Sequence, residues 1–128
     1  MGTISDKARD KVSGPSWDAL RSQFSEITET LLSVNPDTFA DLTTIYIKFT
    51  LNNASSSPVF AVMWVKSSKQ LVVGLALPES LGIEGLGPAP KGMNYKSLTG
   101  YFVVEPGTPV PVELAGWAKR AYQHVKDQ

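Results

Sequence analysis

The chain has 128 residues with 12 basic and 12 acidic side chains, so its formal net charge is zero. It has no cysteine, which excludes disulfides, thiolate catalysis and sulfur-ligated metal sites. No apolar run approaches the roughly 20 residues of a membrane-spanning helix. The length predicts one domain, and we expect a soluble, cytoplasmic protein.

The first 15 residues carry charges of both signs and show no apolar periodicity. We expect this segment, residues 1–15, to be flexible, with a short helix over Asp6–Val12 as the one element it could form. It has the pattern of neither a signal peptide nor a membrane segment. Residues 16–128 are predicted to form a single α+β domain.

A long helix is predicted from Trp17, because apolar residues then recur at steps of three and four for five turns. Ser16 is a plausible N-cap, and Asn35-Pro36 ends the pattern. The apolar stripe of this helix consists of Trp17, Leu20, Phe24, Ile27, Leu31 and Val34.

Four strands are predicted next, at residues 44–51, 59–65, 71–77 and 98–104. The first alternates strictly, with Ile45, Ile47, Phe49 and Leu51 on one face and Thr44, Tyr46, Lys48 and Thr50 on the other. The second is apolar on both faces, so the face that Trp64 occupies stays open. Short links between the first three strands favour antiparallel hairpins.

A second helix closes the chain at about residues 111–126, with Leu114, Trp117, Ala121 and Val125 as its apolar stripe. The element order is then α-β-β-β-β-α. This order predicts an α+β fold in which an antiparallel sheet of about four strands carries the N-terminal and C-terminal helices on one face.

The stretch GPAPKGMN, from Gly87 to Asn94, comes close to a phosphate-binding P-loop but lacks three of its requirements. No Lys-Ser/Thr pair follows the second glycine, two prolines remove N–H donors, and a strand follows instead of a helix. The whole connection 78–97 is long for a compact domain, and loops of this length are often functional or disordered.

Catalytic signatures are also missing from the rest of the sequence. The single histidine, His124, lies in the last turn of the second helix, where a cation suits the helix C-terminus. Glu79 and Glu84 lie in a Pro/Gly-rich loop without a recognisable partner. We therefore predict no catalytic, cofactor-binding or metal-ligating residues and no enzymatic activity.

The charge distribution points to a surface where a partner could bind. Residues 44–104 carry five lysines against two glutamates, a net charge of +3. This excess is compatible with an anionic partner, and lysines that only solvate the sheet and its loops explain it more simply. By alternation, we expect Tyr46 and Lys48 to share a sheet face with Tyr101, Gly74 and Ala76, a shelf suited to a planar ligand or a base. Helix packing against the small residues, or pairing with a second copy, would use the same face.

Three hypotheses follow for function. The first is a non-catalytic binding module for nucleic acid or another anionic partner. The second is a small-ligand pocket protein or an enzyme with an unrecognised site, and the third is a protein-interaction or homodimer module. The candidate partner-binding residues are Tyr46, Lys48, Lys66, Lys69, Lys91, Tyr95, Lys96 and Tyr101.

A family resemblance spans about residues 16–124. The segments WDALRSQF, TIYIKF, VFAVMW, LVVGLALP and ELAGWAKRAY occur in this order. Together they resemble a group of small bacterial domains of unknown function, of which the YdhG-like and YjbR/MmcQ-like families are the nearest named. The resemblance implies a fold, and similar families are suggested to bind DNA. The neutral charge and the Gly/Pro insertion at 82–92 depart from the pattern.

Overall fold

The computed structural model describes residues 2–43, 46–54, 56–66, 70–77, 86–87 and 98–128. The protein is α+β, as predicted, with one sheet and three α-helices in this part of the chain. In chain order the elements are β1 (Thr3–Ile4), α1 (Asp6–Val12), a 3₁₀ helix (Pro15–Leu20), α2 (Arg21–Leu32), β2 (Phe39–Leu42), β3 (Ile47–Thr50), β4 (Val59–Lys66), β5 (Gln70–Leu75), β6 (Gly100–Val104) and α3 (Leu114–Lys126).

The sheet has six strands in the described residues, not the four that the sequence predicts. The strands lie side by side in sequence order. Strands β1 and β2 pair in parallel, and all pairs from β2 to β6 are antiparallel. The predicted hairpins are therefore confirmed. The two additional strands span only 2 and 4 residues, which is too short for alternation to be recognised.

The N-terminal segment, which the sequence predicts to be flexible, holds β1 and α1. The N–H of Gly2 donates to the Leu32 carbonyl at 2.8 Å, and the N–H of Ser5 donates to the Ala40 carbonyl at 2.8 Å. Ser5 also caps α1 through its hydroxyl. The short helix predicted in this segment is present, and backbone hydrogen bonds tie the segment to α2 and β2.

The first long helix is confirmed, but its first turns are tighter than predicted. Gly14 is the N-cap of the 3₁₀ helix, and α2 follows it directly from Arg21. Within the predicted apolar stripe, Leu20, Phe24, Ile27 and Leu31 are buried. The periodicity therefore identified the buried face even though it did not indicate the change of helix type.

Helix α3 packs on β4 and β5 and lies beside α2. Its predicted stripe of Leu114, Trp117, Ala121 and Val125 is buried. The Trp117 ring lies 5.9 Å from the Phe102 ring of β6, and the Tyr122 ring lies 5.7 Å from the Phe60 ring of β4, measured between centroids. Aromatic pairs at these distances help to fix the helix on the sheet.

A bulge in β4 changes which of its side chains reach the helices. Phe49 pairs with Ala61 and Thr50 pairs with Val59, so Phe60 has no partner in β3. The Phe60 ring packs against the Phe49 ring with centroids 6.5 Å apart. An extra residue of this kind bends a strand and redirects its side chains, and here it places an additional aromatic ring in the core beneath α3.

Candidate functional site

Strand pairing divides the sheet into two faces. Residues opposite each other in an antiparallel pair point to the same side. Lys48 pairs with Val62, Val62 with Gly74, and Gly74 with Tyr101. These four residues therefore lie on one face of the sheet. Phe102, the next residue, contacts α3. The row that contains Tyr101 therefore lies on the face opposite α3.

We call this the tyrosine face and define it by Tyr46, Lys48, Val62, Trp64, Gly74 and Tyr101. Tyr46 lies two residues before Lys48, and Trp64 lies two residues after Val62. They belong to the same face because alternate residues of a strand point to the same side. The structure thus brings Tyr46, Lys48 and Tyr101 together on one face, as alternation predicts. It also assigns Trp64, whose face the sequence leaves open.

The Tyr101 ring lies directly against Gly74. A Cβ atom at Gly74 would be 2.5 Å from Cε2 and 3.0 Å from Cδ2 of Tyr101, and 3.2 Å from Cδ1 of Leu98. No side chain larger than hydrogen fits there without displacing the ring. This cross-strand pairing of glycine with an aromatic ring explains the small residue and holds the Tyr101 hydroxyl in a defined place.

That hydroxyl has an unusual environment. Tyr101 is only 4 % exposed, and its hydroxyl oxygen is buried without a hydrogen-bond partner. Leaving a buried polar group unpaired costs about 1–3 kcal/mol. Burial raises the pKa of the Tyr101 phenol above its usual 10.0, and the neighbouring Tyr46 raises it further. Tyr101 is therefore protonated at neutral pH and can donate a hydrogen bond.

Tyr46 and Trp64 form the aromatic border of the site. Their rings meet edge to face, with centroids 5.3 Å apart and planes at 84°. Trp64 is 9 % exposed and Tyr46 is half-buried. Stacking of successive nucleic-acid bases requires exposed ring faces. Trp64 is too buried to offer a ring face for stacking, so Tyr46 is the more accessible of the two rings.

Lys48, at the other end of the row, lies next to an acidic residue. It is half-buried and pairs across β2–β3 with Asp41. The Asp41 carboxylate accepts hydrogen bonds from the Ser5 hydroxyl at 2.6 Å and the Leu42 N–H at 2.9 Å. The Ser5 hydrogen bond lowers the pKa of Asp41, partly opposed by burial and aided by the Leu42 N–H and by the positive charges of Lys7 and Lys48. Lys48 therefore has an acidic neighbour across the strand pair, on the same side of the sheet.

The structure does not describe the side chains of the other predicted binding residues. Lys66 ends β4, but its side chain is outside the described part, and Lys69, Lys91, Tyr95 and Lys96 lie outside the described residues altogether. The same holds for Glu79 and Glu84. Of the long connection 78–97 only Leu86 and Gly87 are described.

Gly87 is part of the sheet edge. Its N–H donates to the Tyr101 carbonyl at 2.9 Å, and the Tyr101 N–H donates to the Gly87 carbonyl at 3.0 Å. This antiparallel bridge uses the N–H group that a phosphate-binding loop would direct at its ligand. The pairing therefore adds a further argument against a P-loop at this position, and it holds the Tyr101 backbone from the outer side.

Two other features are separate from the tyrosine face. His124 lies in the last turn of α3, with a ring nitrogen 3.1 Å from the side-chain nitrogen of Gln128. A groove of about 280 Å³ runs between α2 and α3 and is lined by Glu29, Thr30, Ser33, Val34, Ala115 and Lys119. The predicted binding residues whose side chains the structure describes, Tyr46, Lys48 and Tyr101, do not line this groove.

Within the described ranges, no three Asp, Glu or His side chains converge as a metal site requires, and no helix is long and apolar enough to span a bilayer. Comparison of the chain with protein-family models, curated proteins and solved structures gives no match. The resemblance to the YdhG-like and YjbR/MmcQ-like families therefore stays a prediction, based on the order of core segments alone.

Proposed function

We propose that this protein is a non-catalytic binding domain for a small molecule, and that the tyrosine face carries its binding site. The observation that supports this proposal is the Tyr101 hydroxyl, which is buried and has no hydrogen-bond partner. Buried polar groups in folded proteins almost always have one. A ligand that accepts a hydrogen bond from this hydroxyl would supply the missing partner. The close contact of the Tyr101 ring with Gly74 fixes where the hydroxyl lies.

Binding accounts for the chemistry of this face better than catalysis does. A general base must be able to lose its proton near the working pH. The raised pKa of Tyr101 keeps its proton in place, which suits a hydrogen-bond donor. Lys48 lies on β3, opposite Asp41 of β2, and Tyr46 is a second phenol.

The proposal is tested by Tyr101→Phe, with Tyr122→Phe on the helix side of the sheet as the matched control. In ligand-free protein Tyr101→Phe should leave the free energy of unfolding unchanged or raise it by about 1 kcal/mol, because it removes an unpaired hydroxyl. A thermal-shift screen of neutral and charged small molecules should give ligands of the wild type and the control that fail to stabilise Tyr101→Phe.

A loss of stability greater than about 1 kcal/mol in ligand-free Tyr101→Phe would mean that the hydroxyl has a partner inside the chain. That result, or ligands that stabilise wild type and Tyr101→Phe equally, would contradict the proposal. We expect a cytoplasmic location from the sequence, and the outcome of this test does not depend on it.

A second candidate function is contact with nucleic acid or another anionic partner, favoured by the net charge of +3 on residues 44–104. Binding that depends on phosphate contacts weakens steeply as salt rises from about 50 to 200 mM. Fluorescence anisotropy with a labelled oligonucleotide over this range tests it, and Lys48→Ala should reduce the salt slope by about one. Absence of binding at the lowest salt concentration would remove this candidate.

A further inference from the structure

We infer that the outer surface of α2 and α3 forms a homodimer in which α2 of each copy packs on α3 of the other. This surface is separate from the tyrosine face, because α3 contacts Phe102 and therefore lies on the opposite side of the sheet. The inference depends on the groove between the two helices, on the small side chains that line it, and on the opposite charges of its two walls.

The lining of the groove suits contact with another helix. Four of its side chains are small or β-branched: Thr30, Ser33, Val34 and Ala115. The Thr30 hydroxyl donates to the Glu26 carbonyl at 2.8 Å. The Ser33 hydroxyl donates to the Glu29 carbonyl at 2.5 Å. Both hydroxyls are therefore satisfied within α2, and small side chains at a contact let two helices approach each other closely.

The two walls of the groove carry opposite charges. Beyond its first residue, α2 has the acidic residues Glu26 and Glu29 and no basic residue. Helix α3 has the basic residues Lys119, Arg120 and Lys126 and no acidic residue. Glu29 and Lys119 line the groove from different helices, and both are exposed. Within the described residues neither has an ion-pair partner within 4.0 Å, so each charge can pair with a group of another molecule.

A second copy of the chain supplies the complementary charges by symmetry. A two-fold axis that runs along the groove exchanges its walls, so that α2 of each copy lies on α3 of the other. Glu29 of each copy then faces Lys119 of the second copy, and the dimer gains two contacts between opposite charges. An axis across the groove would place acidic α2 on acidic α2, so the charges select the first arrangement.

The size of this surface predicts a weak dimer. Helices α2 and α3 have 12 and 13 residues, and are therefore about 18 and 20 Å long. At a width of about 10 Å each, they cover roughly 400 Å² per copy. This is at the low end of interface areas and is typical of transient association. We therefore expect self-association at protein concentrations of roughly 100 µM and above.

Charge reversal tests the inference, with sedimentation equilibrium of the full chain from about 10 µM to 1 mM as the measurement. Glu29→Lys and Lys119→Glu each place like charges opposite each other at both contacts, so each variant alone should associate at least about tenfold more weakly. In an equimolar mixture of the two variants, both contacts of the mixed dimer again join opposite charges. The mixture should therefore associate about as tightly as the wild type.

The matched controls are Asp10→Lys and Lys11→Glu, which change the net charge by the same amounts. Both residues are exposed on α1, which packs on β2. Each control alone should associate like the wild type, and urea unfolding shows that every variant is folded. On dilution of the wild type, the amide chemical shifts that change should be those of α2 and α3.

Four results would overturn the inference. A wild type that is monomeric at about 1 mM does so, whether or not the groove then binds a helix of another protein. Single variants that associate as tightly as the wild type, or a mixture that fails to restore association, also contradict it. The fourth is dilution shifts confined to the sheet, which would place the contact outside α2 and α3. None of these results bears on ligand binding at the tyrosine face.

Discussion

Replacement of Gly74 by alanine changes the contact that holds Tyr101 in place. The new Cβ would lie 2.5 Å from Cε2 and 3.0 Å from Cδ2 of Tyr101. Carbon atoms pack at about 3.5–4.0 Å, so the ring must move by roughly 1 Å or more. The ring has little room to move because Tyr101 is almost completely buried.

The expected effect is a net loss of stability. Forcing an extra methyl group into a packed core costs about 1–3 kcal/mol. Alanine in place of glycine inside a strand would by itself contribute about 0.5–1 kcal/mol of stability. We therefore expect Gly74→Ala to lower the free energy of unfolding by about 1–2 kcal/mol, or the melting temperature by roughly 3–8 °C for a domain of this size.

Urea unfolding provides the assay, since a change in midpoint at constant m-value reports stability alone. Gly116→Ala is the matched control, because a Cβ at this position in α3 meets nothing within 4 Å. It should raise stability by about 0.5–1 kcal/mol, as alanine favours a helix interior. The same Gly74→Ala change in a Tyr101→Ala background should cost much less, because the two nearest blocking atoms have gone and only Leu98 Cδ1, at 3.2 Å, stays close.

The reasoning fails if Gly74→Ala is as stable as the wild type. It also fails if the loss is equal in the presence and absence of the Tyr101 ring, since the two substitutions would then be independent.

Three further changes test other parts of the fold. Thr28→Val should leave the unfolding free energy unchanged or raise it by about 1 kcal/mol, because the Thr28 hydroxyl is buried without a partner; a clear loss in urea unfolding would contradict this. Gly2→Ala places a Cβ against the Thr38 backbone carbonyl and should cost about 1–3 kcal/mol, with faster hydrogen exchange in β1; unchanged exchange would count against the tight contact. Because the pKa of Asp41 is lowered in the folded state, its contribution is present above its unfolded pKa of about 4 and is lost as pH falls through the folded value. Asp41→Asn should therefore cost roughly a few tenths of a kcal/mol at neutral pH, as for a partly exposed carboxylate that solvent screens, and nothing in acid; an equal cost at both pH values would refute this.

Local periodicity predicted most of the regular structure. The helices α2 and α3 and the strands β4, β5 and β6 were each indicated by a pattern contained within one element. Their ends differ from prediction by a few residues, because the first turns of a helix and the last residues of a strand depend on neighbours. The prediction of one long helix from Trp17 missed the 3₁₀ segment for this reason.

The strands β1 and β2 could not be predicted in the same way. Thr3 pairs with Phe39 and Ile4 with Ala40, so β1 exists only because the chain returns beside it after two helices. The four residues of β2 show mixed burial, with no alternation to recognise. Neither strand has a sequence pattern that distinguishes it from a loop.

Part of the candidate site was accessible to sequence reasoning. Alternation within a strand placed Tyr46 with Lys48, and antiparallel pairing allowed Tyr101 to join them. The position of Trp64 was not accessible, because β4 is apolar on both faces and its register also contains a bulge. No signal in the sequence indicates that the Tyr101 hydroxyl is buried without a partner or that Asp41 lies opposite Lys48.

The sequence by itself determined the α+β class, the buried faces of the two long helices and the failure of the glycine-rich stretch as a nucleotide loop. These properties follow from residues close together in the chain. The tertiary structure decided the number of strands, the attachment of the N-terminal segment and the arrangement of the tyrosine face. Those depend on pairs far apart in sequence, such as Gly74 with Tyr101 and Asp41 with Lys48, whose contacts exist only after the strands have aligned.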